Sequence, residues 1–318
     1  MPKSENYKPW TLKYRPLKLS DIQIEANIKE KFLNMLYQNN IPNLIIYGPP
    51  GSGKTSIGKF KYILIFSDQK SNNFLKLNAS HVRGIDVVRL KIKSFCQLKI
   101  NLKKNSRKLI VIDEAESLSE IAQEALRRTV ENFSHIVRFI FICNYPSKII
   151  EAIQSRCTVL RFNNITESII IRKITKILCI EKILFSIKGL EMLIFLAEGD
   201  MRRLLNEAEI SSRSFFKLTD LTVKICCFVP SIFMIAEFLY VIFNRNHLLA
   251  FEIFTDICNE GYNIAEIIYG IFKYLKRIRL FHFKKLKILK FLCELQIGLF
   301  EQKCKLNFVL TIIKKFFL

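Results

Sequence analysis

Leu44-Ile45-Ile46-Tyr47-Gly48-Pro49-Pro50-Gly51-Ser52-Gly53-Lys54-Thr55-Ser56 decides the fold of this chain. From Gly48 to Thr55 it fits the phosphate-binding loop G-x-x-x-x-G-K-[ST] without a mismatch. The apolar run before the loop reads as a buried strand, and a helix-compatible segment follows it. In that setting glycines let backbone N–H groups close around phosphate oxygens. The next helix turns its positive end toward the same oxygens. Gly48, Pro49, Pro50, Gly51, Ser52, Gly53, Lys54, Thr55 and Ser56 are then a nucleotide cradle. Lys54 would reach the β- and γ-phosphates, and Thr55 would offer its hydroxyl to Mg²⁺.

Outward from the loop, Phe74–Leu77, Leu109–Ile112 and Phe139–Cys143 also read as short buried strands, each followed by turn chemistry and then helical spacing. Strands alternating with helices predict a parallel sheet covered by helices, with active residues at the carboxyl ends of the strands. Leu109-Ile110-Val111-Ile112-Asp113-Glu114 places two carboxylates at such an end. Asp113 would join Thr55 around Mg²⁺, and Glu114 would polarise an attacking water. Asn144, after Phe139–Cys143, is placed either to position that water or simply to make the turn before Pro146. The α/β pattern covers residues 1–162; 163–225 read as a small helical bundle and 226–318 as further helices. Gly261 reads as a helix stop, and Asn263 with Glu266 as a capping box.

Lys and Arg number 50 against 28 Asp and Glu, a formal net charge of +22. That excess favours a polyanionic partner, nucleic acid before membrane, although compositional drift toward Lys produces the same bulk charge. The nine cysteines contain no C-x-x-C pair and the four histidines no metal spacing, so a zinc site is not expected. The odd cysteine count and the polar start Met1-Pro2-Lys3-Ser4 predict reduced, intracellular thiols. Cys226–Phe243 is almost wholly apolar but contains Pro230 and Glu237; it reads as a buried helix and not a membrane span.

Beyond these motifs the chain carries Trp10-Thr11-Leu12-Lys13-Tyr14-Arg15-Pro16, Leu77-Asn78-Ala79-Ser80 and Arg83-Gly84-Ile85-Asp86-Val87-Val88-Arg89. It also carries Glu124-Ala125-Leu126-Arg127-Arg128-Thr129-Val130-Glu131, Gln154-Ser155-Arg156-Cys157 and Gly199-Asp200-Met201-Arg202-Arg203. With these it resembles a small subunit of replication factor C, the sliding-clamp loader of the AAA+ class, most densely from about residue 8 to 210. The segment Ala250–Tyr274 is similar to the collar of the subunit class numbered 2 in animals and 4 in yeast.

The resemblance implies an AAA+ P-loop NTPase domain with a parallel sheet (1–162), a helical lid (163–225) and an all-helical collar for oligomerisation (226–318). It implies ATP and Mg²⁺ as ligands. It implies other replication factor C subunits, a sliding clamp and primer–template DNA as partners, with no membrane. The site of action is then a nucleus, either an ordinary one or a reduced one such as a nucleomorph. Arg156 becomes an arginine finger acting in trans on a neighbour's ATP; on spacing alone it reads as a partner for a surface carboxylate. Arg202 becomes the lid sensor, with Arg203 the runner-up, and Arg15 and Pro16 lie near adenine and ribose. Arg83, Arg89 and Lys93 become DNA contacts. Arg89 and Lys93 are four apart on a helix whose apolar face is Ile85, Val88, Ile92 and Phe95, and the alternative is a merely solvated basic face. The departures from the family pattern are Gln23-Ile24, Gly58, Lys59, Lys61, a divergent stretch at 60–74 and His81-Val82. The rival readings are another AAA+ DNA motor and a scaffold subunit that binds nucleotide without turnover.

Overall fold

Parallel pairing of five strands organises the computed structural model, which describes residues 8–16, 42–57, 73–80, 85–98, 107–227, 230–244 and 246–278 with isolated positions elsewhere. The strands are β1 (Leu44–Tyr47), β2 (Phe74–Asn78), β3 (Lys108–Asp113), β4 (Val137–Cys143) and β5 (Thr158–Arg161), in the order β2-β3-β4-β1-β5. Leu44, Ile45 and Ile46 of β1 and every residue of β3 are buried, the signature of strands covered on both faces. β1 has the expected bounds, and the other three expected runs each lie inside a longer strand. β5 has no counterpart in the sequence reading. It is an edge strand that buries only Leu160, so it shows no apolar run. Asn43 joins three strands: its side-chain oxygen accepts from Phe139 N–H at 3.0 Å and its carbonyl from Thr158 N–H at 2.8 Å.

The helices that follow in chain order are α1 (Trp10–Lys13), α2 (Ile85–Gln97), α3 (Glu120–Asn132), α4 (Glu151–Gln154), α5 (Glu167–Ile180), α6 (Ile187–Ala197) and α7 (Met201–Phe215). After them come α8 (Asp220–Cys227), α9 (Ile232–Phe243), α10 (His247–Asn259) and α11 (Ile264–Arg277). Two short strands, β6 (Leu184–Phe185) and β7 (Lys217–Leu218), pair in parallel within the helical part.

The chain divides into two compact units, Met1–Ile177 with Ala197–Asn206, and Leu178–Leu196 with Glu207–Leu318. In the first, Ile45, Ile110, Phe139 and Phe141 of the sheet pack with Ile92 and Phe95 of α2 and Leu126 and Val130 of α3. In the second, α9, α10 and α11 share a core that includes Phe238, Phe254, Ile267 and Ile271. The apolar stretch Cys226–Phe243 is not one helix. α8 ends at Cys227 and α9 starts at Ile232, after Pro230, with the Ser231 hydroxyl accepting from Phe233 N–H at 3.3 Å. Proline cannot continue a helix and serine favours starting one, so these residues divide the run. Among the described residues no single helix is long and apolar enough to cross a membrane. The expected punctuation between α10 and α11 is present: Gly261 has φ +94°, and Asn263 N–H donates to the Glu266 carboxylate at 3.1 Å.

Lys108 opens β3 as a lysine only 1% exposed. Its ammonium donates to the carbonyls of Phe95 at 2.8 Å and Cys96 at 3.1 Å, and to that of Leu98. These carbonyls end α2 and have no partner within the helix, so Lys108 caps α2 from the neighbouring strand. Lys108→Met keeps the aliphatic volume but leaves three acceptors without that donor. Urea unfolding should show a loss of about 2–4 kcal/mol.

Candidate functional site

The carboxyl ends of β1, β3 and β4 open into one cavity of about 330 Å³ within the first unit. Its lining includes Arg15, Pro16, the loop residues Pro50–Ser56, Asp113, Glu114, Asn144 and Arg202. The structure therefore brings together the cradle, both carboxylates, the polar amide and the lid arginine named from sequence. Gly48 and Pro49 support the loop from outside this lining: the Ser52 hydroxyl donates to Pro49 O at 2.8 Å, and Lys54 Nζ donates to Gly48 O at 2.7 Å and Pro49 O at 2.6 Å. Burial holds the Lys54 pKa below its usual value, opposed chiefly by the negative charge of Glu116.

Gly51 shows why the loop needs glycine. Its φ is +69°, and a Cβ there would stand 1.8 Å from Asp200 Oδ1. The same Oδ1 accepts from the N–H groups of Arg202 at 2.7 Å and Arg203 at 3.2 Å, so Asp200 caps the start of α7 while resting on the phosphate loop. That contact brings Arg202 to the cavity; Arg203 is not among the lining residues.

Asp113 Oδ1 accepts from the Thr55 hydroxyl at 3.3 Å, which sets two hard oxygen donors side by side, the kind Mg²⁺ prefers. Asp113 Oδ2 lies 3.0 Å from Lys76 Nζ, a residue that sequence reading did not single out. Glu114 is exposed and has a left-handed backbone, φ 55° and ψ 42°, a conformation that costs a non-glycine residue roughly 1 kcal/mol or more. The cost is borne at the head of a 3₁₀ turn, Ala115–Ser117, whose Ser117 N–H and hydroxyl both donate to Glu114 O, at 2.9 and 2.8 Å.

Glu116 was also missed. Its Oε1 accepts from Asn144 N–H at 3.1 Å and from Asn144 Nδ2 at 2.7 Å, while its Oε2 is buried without a hydrogen-bond partner. An acceptor-only carboxylate fixes which end of the Asn144 amide faces it. The sequence signal was present only as a third acid after Asp113-Glu114. Beside Asn144, burial pushes the Cys143 thiol up to about 12, so it lines the cavity as a neutral group.

Arg156 lies outside this cavity, 41% exposed at its side chain. It sits just after α4, donating to Ala152 O at 2.7 Å and pairing with Glu131 at 2.8 Å, so the surface-carboxylate partner weighed from sequence is there. Glu131 also accepts from Arg127 at 3.2 Å. The buried side chain of Gln123 fixes the approach to α4: it donates to Leu118 O at 3.1 Å and Lys148 O at 2.9 Å and accepts from Ile150 N–H at 2.8 Å. On α2, Ile92 and Phe95 are buried and Lys93 is exposed. Arg89 has its place on the helix; its side chain, those of Ile85 and Val88, and Gln23, Ile24, Gly58, Lys59, Lys61, His81, Val82 and Arg83 lie outside the described residues. Ile165 and Lys173 add to the cavity lining without having been marked by any motif, and Met201 joins them from the Gly199–Arg203 motif.

Residues 44–164 match the model of the ATPase family associated with various cellular activities (AAA). The chain is 34% identical to replication factor C subunit 2 of Arabidopsis thaliana over 97% of this chain and 94% of the relative. It is 36% identical to human replication factor C subunit 5 over 85% and 80%, and 34% identical to subunit 4 of Saccharomyces cerevisiae over 85% and 83%. Among solved structures, the Thermotoga maritima RuvB Holliday junction branch migration motor aligns with TM-score 0.55 at 16% identity, over 72% of this chain and 79% of that one. That last likeness is one of fold.

The Glu116–Asn144 contact makes a direct prediction. Glu116→Ala frees the amide of Asn144, and turnover should fall about ten- to a hundredfold, the usual effect of losing a supporting partner. Affinity for a non-hydrolysable ATP analogue should change far less. Steady-state hydrolysis beside analogue titration separates the two effects.

Proposed function

We propose that this chain, which belongs to the replication factor C subunits of the AAA ATPase class, is one ATPase subunit of a heteropentameric clamp loader. The loader uses ATP to place a sliding clamp on primer–template DNA during replication. Nucleotide binding and ATP hydrolysis follow from family and fold; stimulation by DNA and clamp is the finer part of the proposal. The observation that carries it is one of placement. Lys54, Asp113, Glu114, Asn144 and Arg202 line one cavity, whereas Arg156 is exposed outside it. An arginine held outside its own cavity and at the surface is placed to serve the site of a neighbouring subunit.

Lys54 exchanges the carbonyls of Gly48 and Pro49 for phosphate oxygens, and Arg202 adds a second cation from α7. Glu114 takes the proton of the attacking water, and Asn144, held by Glu116, orients that water. Thr55 and Asp113 would hold Mg²⁺, which would supply charge neutralisation for the phosphates. Arg156 leaves Glu131 and enters the ATP site of the next subunit, where it stabilises charge on the transferred group. Arg15 and Pro16 border the nucleoside. Lys93, with Arg89 on the same helix and Arg83 before it, follows the DNA backbone without reading sequence, as action at any primer end requires. The chain is organised as nucleotide domain 1–162, lid 163–225 and collar 226–318, and it works in a nucleus, ordinary or reduced like a nucleomorph. Identities of 32–37% to subunits numbered 2, 3, 4 and 5 support a small-subunit place in the ring, and the 2/4 class is our assignment within it.

In the reconstituted complex, Arg156→Ala should leave this chain's own ATP affinity within about twofold. Turnover at the site it faces should fall about a thousandfold, the scale of an arginine finger. Single-turnover hydrolysis in complexes with one variant subunit reads this out, and unchanged turnover would refute the shared site. Lys93→Ala should weaken DNA binding and lower the slope of log affinity against log salt by about one unit. Titrations at several salt concentrations measure it.

A further inference from the structure

Asp113 serves two neighbours with one carboxylate. Oδ1 takes the Thr55 hydroxyl at 3.3 Å, and Oδ2 is 3.0 Å from the ammonium of Lys76. The register explains the second contact. In the parallel pair β2–β3, Asn78 stands opposite Asp113, and Lys76 is two residues earlier on the same face of β2. A diagonal offset of that size is within reach of a lysine tail.

We infer that Lys76 is a tethered counter-ion that competes with Mg²⁺ for Asp113 and so sets the Mg²⁺ concentration at which the site takes up Mg²⁺-bound ATP. The inference rests on the reading of Thr55 and Asp113 as the Mg²⁺ ligands. Its physical basis is that two cations cannot both sit in contact with one carboxylate without repelling each other. Asp113 is only 11% exposed at its side chain, so solvent screens that repulsion poorly. Lys76 is 29% exposed, so a displaced ammonium swings back into water on a flexible stem. Lys76 therefore raises the Mg²⁺ requirement without blocking the site. It also differs in kind from Lys54: it is not among the residues lining the cavity, and its partner is the metal-binding carboxylate.

The test uses the full chain and a fluorescent ATP analogue titrated over a range of Mg²⁺ concentrations and in EDTA. In Lys76→Met and Lys76→Gln the Mg²⁺ midpoint for analogue uptake should fall about two- to fivefold, the scale of a partly exposed ion pair. Lys76→Arg should keep the natural midpoint, and affinity in EDTA should be the same in all four proteins. Using two neutral replacements keeps the test alive if one fails to fold. A midpoint that stays or rises in both neutral variants overturns the inference. So does a loss of affinity in EDTA, which would make Lys76 a phosphate ligand. Uptake that responds to Mg²⁺ in none of the proteins, the natural chain included, overturns the Mg²⁺ assignment of Thr55 and Asp113, and the inference falls with it.

Discussion

Parallel pairing is the constraint on which the rest depends. Because all five strands of the main sheet run the same way, the chain leaves β1, β3 and β4 at one edge. β1 lies beside β4, and β4 beside β3, so the phosphate loop emerges near Asn144 after β4 and Asp113 at the end of β3. This is where open α/β sheets hold ligands. None of these side chains is near another in sequence. Because β1 and β3 are buried on both faces, a one-residue shift would exchange side chains of different shape between two close-packed layers.

Much of this was legible. Leu44–Tyr47 and the loop after it form a local pattern with one physical solution, and the strand ends followed from apolar runs. What escaped depends on pairing through space. Lys108 reads as the residue before a strand, yet it is part of β3, its ammonium received by two α2 carbonyls and that of Leu98 just beyond. β5 escaped because an edge strand needs little apolar surface. Glu116 and Lys76 carry no motif; only folding brings one to Asn144 and the other to Asp113. Spacing read Arg156 as the partner of a surface carboxylate and the resemblance read it as an arginine finger; the fold shows the first within the chain and leaves the side chain 41% exposed.

A common feature links one cation of the cavity and two outside its lining. Lys54 is engaged by backbone carbonyls, Lys76 by Asp113 and Arg156 by Glu131. Each is therefore held in place with its charge partly satisfied, and a ligand or neighbouring subunit has to offer more than the internal partner does. The gain from any one exchange is the difference between two similar interactions and is modest. Tight engagement then requires several exchanges together.

The left-handed backbone of Glu114 has an evolutionary consequence. At φ 55° and ψ 42°, asparagine fits that position with less strain than glutamate does. A change that removes the base we propose would thus make the chain slightly easier to fold. A copy released from its duty would find inactivation and stabilisation in the same mutational step.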